Sequence, residues 1–114
     1  MAGPGLALEA LGTYARRLPQ LEAGALGARP TERFDDTEAA MLLGARAAAA
    51  GAVIEAVRIL RRAAGIAPGV VVTGGGMGII EERLPHGWRR DPGLVARGLY
   101  RLWELNRVRG KKKP

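Results

Sequence analysis

The segment from Asp35 to Gly65 constrains the chain most, because it reads as a single helix and is the longest element in the sequence. Asp35 or Asp36 opens it, and Asp35 with Glu38 three residues later makes a capping-box-like start with acidic charge in the first turn. The apolar stripe Met41, Ala45, Ala48, Ala52, Val53, Ala56, Val57 and Leu60 keeps a helical period over about seven turns. Arg58, Arg61 and Arg62 favour the negative end of the helix dipole, and Gly65 supplies a left-handed cap. Gly44, Ala48 and Ala52 recur every four residues, a smooth face against which another backbone can pack.

The rest of the chain is arranged around that helix. Apolar residues at Ala7, Leu11, Tyr14, Ala15 and Leu18 predict a helix from Leu6 to Leu18, stopped by Pro19. A turn-rich loop with Gly24, Gly27 and Pro30 connects Gln20 to Phe34. Val70 to Thr73 is a β-branched run without polar alternation, the pattern of a strand buried on both faces in a parallel sheet. Gly74, Gly75, Gly76 and Gly78 then lead into a short helix at Ile79, and Trp88 to Arg90 form a brief second strand. Asp91 as N-cap and Pro92 at the first helical position open a last helix whose buried stripe is expected to be Leu94, Val95, Gly98, Leu99, Leu102 and Trp103. The whole predicts a helix-rich α/β fold with one long central helix and one short buried strand.

A length of 114 residues suits one domain, or one half of a larger one. With 4% aromatic residues and seventeen glycines, the core is built from Ala, Val, Ile and Leu with close backbone approaches. The absence of cysteine excludes disulfides, thiolate nucleophiles and zinc-thiolate sites, and with no charged-then-apolar leader the default location is cytoplasmic. The most apolar run, Ala47 to Ile54 between Arg46 and Glu55, is shorter than the ~20 residues of a bilayer span, so no membrane segment is expected. The formal charge of +7 invites a nucleic-acid reading. Five of the eighteen basic residues, however, are Arg107, Arg109, Lys111, Lys112 and Lys113. Thirteen basic against eleven acidic residues remain, a net +2 for residues 1–106, and residues 107–114 read as a solvated basic tail.

The glycine loop is the one segment with ligand chemistry. A strand ending in Thr73-Gly74-Gly75-Gly76 before a helix offers free amides and a positive helix end to a phosphate. It is no P-loop, since no Lys follows, and Ile79 breaks the dinucleotide fingerprint; a tight structural turn stands beside the nucleotide reading. The only histidine, His86, sits in a loop without a metal-ligating neighbour. Asp35 and Asp36 cap a helix before they catalyse anything. No complete active site is present.

Four segments together resemble type III pantothenate kinases, in the right order. Pro4-Gly5, Ala10-Leu11 and Leu18-Pro19 are similar to the family's Pro-Gly, helix, Leu-Pro segment. Asp36-Thr37 with Gly44 and Gly51 resembles its Gly-x-x-Thr helix, with Phe34 in place of the first glycine and Ala48 where a further one is common. Val70 to Gly75 resembles the strand and Thr-Gly-Gly loop of the second lobe, related to the adenosine motif of the sugar kinase, heat-shock chaperone and actin superfamily. Asp91-Pro92-Gly93-Leu94-Val95, Gly98-Leu99 and Asn106 resemble its Asp-Pro-x-Leu, Gly-Leu and terminal Asn pattern.

The resemblance implies a partial ribonuclease-H-like (actin-like ATPase) lobe over residues 1–106, the C-terminal half of an enzyme that transfers the ATP γ-phosphate to pantothenate in coenzyme A biosynthesis. Within it Thr37 matches the threonine that contacts pantothenate, a helix-start role being the competing reading, and Thr73, Gly74 and Gly75 match the nucleotide-side loop. The family's Asp-x-Gly-Asn-Thr, Gly-x-Asp-Arg and Asp-x-Gly-Thr segments are not present, so no catalytic or metal-binding residue is assigned and the chain alone is expected to be inert. ATP, a divalent cation and a candidate monovalent cation belong to the complete enzyme. The implied partner is a separately encoded N-terminal lobe or a second copy, the smooth face of the long helix being the candidate dimer contact. The other readings are a small basic nucleic-acid-binding module and a non-catalytic scaffold.

Overall fold

A computed structural model describes residues 3–28 and 35–110. The described residues form α1 (Pro4–Tyr14), α2 (Ala25–Ala28), α3 (Thr37–Ala64), β1 (Val71–Val72), α4 (Met77–Ile80), a 3-10 turn (Glu81–Arg83), β2 (Arg89–Arg90) and α5 (Leu94–Gly110). The fold is thus helix-rich and mixed α/β, with a small parallel sheet. The chain divides into two compact units. Unit 1 comprises Met1–Pro68 and Gly76–Pro85, and unit 2 comprises Gly69–Gly75 and His86–Pro114.

Unit 1 holds the core. Leu8 of α1 and Leu26 of α2 are fully buried against Met41, Leu42 and Ala45 of α3, with Leu18, Leu21, Ala25 and Ile79 packed around them. The buried face of α1 therefore centres on Leu8 and not on the expected stripe: Leu11 is 41% exposed and Tyr14 85%. The helix also ends at Tyr14, four residues before Leu18, with Ala15 in extended geometry. Pro19 excludes helix beyond Leu18, and the extended Ala15 ends it one turn earlier. Gly5 and Gly12 admit the returning chain: a Cβ at Gly12 would sit 3.0 Å from Gln20 Cα, and one at Gly5 3.0 Å from Ala23 Cβ. The loop expected from Gln20 to Phe34 contains the single turn α2, and its residues 29–34 lie outside the described part.

α3 is the long helix that the sequence predicts, 28 residues closed by Gly65 at φ 65°. Its N-cap is Asp36, whose Oδ1 accepts from the Ala39 amide at 2.8 Å. Of the two expected openings Asp36 is thus the N-cap, and Glu38 supplies acidic charge in the first turn. Burial is confined to the first half, at Ala39, Met41, Leu42, Ala45, Arg46 and Ala50. Gly44, Ala48 and Gly51 are exposed, and nothing lies within 4 Å of a Cβ placed on either glycine. α3 contains an 18-residue stretch of mean hydropathy 1.6 and is thus long and apolar enough to cross a bilayer, a property missed by measuring only its uncharged run. Length and composition are all that points that way, and core helices of soluble proteins share both.

In unit 2, β1 and β2 pair in parallel, Val71 opposite Arg89 and Val72 opposite Arg90. The strand was expected to be buried on both faces, but Val71 is 48% exposed and Val72 half-buried. Two strands do not form a sheet that packed layers can cover on both sides. The stripe of α5 is correct in period and wrong in burial, since no residue of that helix is buried. α5 also continues to Gly110, so Arg107 to Gly110, read from sequence as tail, are helical.

Candidate functional site

The Thr73–Gly75 loop starts where the sheet ends. The Arg89 amide donates to the Val70 carbonyl and the Asp91 amide to the Val72 carbonyl, each at 2.9 Å. This ladder fixes β1 up to Val72 and leaves Thr73 as the first residue beyond it. The Thr73 Oγ1 is buried and has no hydrogen-bond partner, a condition that costs roughly 1–3 kcal/mol where it persists. Gly74 sits at φ 107°, a conformation that side chains rarely adopt, and open space surrounds the Cβ positions of Gly74 and Gly75. The loop therefore presents bare, exposed backbone beside one unsatisfied hydroxyl. The expected positive helix end is weak, because α4, which begins at Met77 after Gly76, has only four residues.

Thr37 belongs to unit 1. It is the first residue of α3, directly after the Asp36 cap, and it is exposed. Its position leaves the hydroxyl at the start of a helix of 28 residues, where early amides have no partner within the helix. Thr37 and the glycine loop are thus each built by ordinary local rules, a cap in one case and a strand end in the other.

Two features went unread in the sequence. Arg46, on the buried side of α3, donates from Nη2 to the Leu26 carbonyl and so serves the end of α2 across the core. An arginine inside an alanine-rich helix reads as a surface residue, and only the return of α2 onto α3 gives it a partner. The second is an open cleft of about 670 Å³ in unit 1, between α1 and residues 20–23. Glu9, Thr13, Gln20 and Glu22 are its polar walls, and nothing in the helical period of α1 marks them out. Among the described residues no three His, Cys, Asp or Glu side chains come together to hold a metal ion, so no step is assigned to one.

No protein-family model matches the chain, and no curated protein matches it either.

Proposed function

We propose that the chain is the C-terminal lobe of a type III pantothenate kinase-like enzyme, a partial actin-like ATPase lobe that is inactive until an N-terminal lobe completes it. The observation that carries the reading is the run of a parallel strand into Thr73-Gly74-Gly75, with Gly74 at positive φ and the Thr73 hydroxyl buried without a partner. In this reading the amides of the loop receive the nucleotide, and glycine keeps side chains out of its way. Thr37 receives the polar end of pantothenate through its hydroxyl and the free amides of the first helical turn. Phosphoryl transfer itself depends on positioning and on charge stabilisation by metal and carboxylates. Those groups, with the divalent and any monovalent cation, are supplied by the complementary lobe.

The test is reconstitution. Mixed with an N-terminal lobe bearing the three missing segments, the chain should give ATP turnover that depends on pantothenate, while alone it gives none. In the reconstituted enzyme, Thr37→Val removes a hydroxyl and keeps the shape, leaving a substrate group unpaired at about 1–3 kcal/mol. The kcat/KM for pantothenate should fall by roughly ten- to a hundredfold with the ATP dependence little changed. Unaltered pantothenate kinetics with a lower melting temperature would make Thr37 a helix-start residue only.

A further inference from the structure

The two units differ in charge as sharply as in burial. Met1–Pro68 with Gly76–Pro85 carries nine basic and nine acidic residues, net zero. Gly69–Gly75 with His86–Pro114 carries nine basic and two acidic residues, so the protein's whole net charge of +7 lies in unit 2. That charge is attached to a helix with an uncovered apolar face.

At 100° per residue, Leu94, Leu102, Val95, Leu99 and Trp103 span about half the circumference of α5. All five are exposed, Leu99 by 63%. Arg97, Arg101, Glu104 and Arg107 occupy the other half, while Arg109, in the last turn, falls on the apolar side. Arg97 pairs with Asp91, and Arg101 lies 3.3 Å from Glu104, yet the two arginine side chains remain 63% and 70% exposed. Trp103 stands at the edge of the apolar half and Tyr100 beyond it on the polar side, with ring centres 5.8 Å apart, and the Arg107 guanidinium lies 5.2 Å from the Trp103 ring. Aromatic rings at such a boundary suit a medium that is apolar on one side and wet on the other. Lys111, Lys112 and Lys113 follow directly in the sequence.

From this combination we infer that α5 is an interfacial helix that docks on an anionic lipid surface, its aliphatic half in the acyl boundary and its cations among the headgroups. Phosphates of a nucleic acid would use the charge and leave the aliphatic half without a role, whereas an anionic bilayer surface uses both. The helix lies on the membrane and does not cross it, since 17 residues with four arginines and a glutamate are too short and too polar to span. The inference stands apart from the kinase reading.

The test uses the full chain without ATP, pantothenate or a second lobe. It is co-sedimented with vesicles of phosphatidylcholine alone or with roughly 30% phosphatidylglycerol, while tryptophan emission is followed. Binding to the anionic vesicles is expected, at least tenfold stronger than to neutral ones, weakened by salt, with a blue shift that Trp103→Phe removes. Arg107→Gln with Arg109→Gln should weaken it by roughly ten- to thirtyfold. Leu99→Asp should abolish it while circular dichroism stays unchanged, since Leu99 is 63% exposed and lies outside the core. Equal binding to neutral vesicles, or no vesicle binding beside salt-sensitive binding to duplex DNA, would overturn the inference. So would a dimer in scattering that Leu99→Asp splits without any lipid binding by the wild type. None of these outcomes bears on whether reconstitution restores kinase activity.

Discussion

Unit 1 and unit 2 are written in the same alphabet of Ala, Val, Leu and Gly, and both contain a helix with a clear apolar stripe. In unit 1 the first half of α3, through Met41, Leu42 and Ala45, meets α1 and α2, and Leu8 and Leu26 are fully buried. In unit 2 no residue of the α5 stripe is buried, although its period is as regular. Periodicity thus fixes which residues would share a face, and the presence of a second layer decides whether that face becomes a core. The charge follows the same division: a balanced surface surrounds the unit with a core, and the excess of cations accompanies the helix without one.

The largest expected effect is on that contrast itself. Leu8→Ala should cost about 2–5 kcal/mol in chemical denaturation, because the site is fully enclosed. Leu99→Ala should stay within about 0.5 kcal/mol. Equal losses would mean that α5 is covered in solution. A smaller effect is expected at Arg46→Met, which keeps the aliphatic volume but orphans the Leu26 carbonyl, at about 1–3 kcal/mol by the same measurement. The smallest concerns Glu55 and Arg58, an exposed pair on the second half of α3. The hydrogen bond from Arg58 holds the Glu55 carboxyl below its usual range. A depressed carboxyl stabilises the fold above the unfolded pKa and loses that contribution as pH falls through the folded value. The gap in melting temperature between wild type and Glu55→Gln should therefore be small at neutral pH, close on acidification below about pH 4, and shrink with salt. A gap that persists in acid would show that charge is not its source.

Much of the local structure was legible because it follows from short-range rules. Asp36, Gly65 and the order of strand, glycine loop and short helix are set by capping, left-handed geometry and β-branching within a few residues. Burial was not legible in this way. Val71 and Leu99 have the composition of interior residues, and only the number of neighbouring elements determines that they are exposed. Arg46 shows the converse, since its partner is twenty residues away in sequence. Of the candidate site, the bare backbone was legible in the glycine run, while the positive φ of Gly74 and the orphaned Thr73 hydroxyl, which follows from where the ladder stops, were not.

The connectivity of the two units has a consequence for how the protein is made and cut. The chain leaves unit 1 after Pro68, returns at Gly76 and leaves again after Pro85. No single proteolytic nick and no simple truncation can therefore release either unit whole. During synthesis β1 emerges from the ribosome before its pairing partner exists, because Val71 waits for Arg89, eighteen positions later. At roughly 5–20 residues per second that interval lasts about 1–4 s, long enough for an unpaired pair of valines to meet a chaperone or a neighbouring nascent chain first.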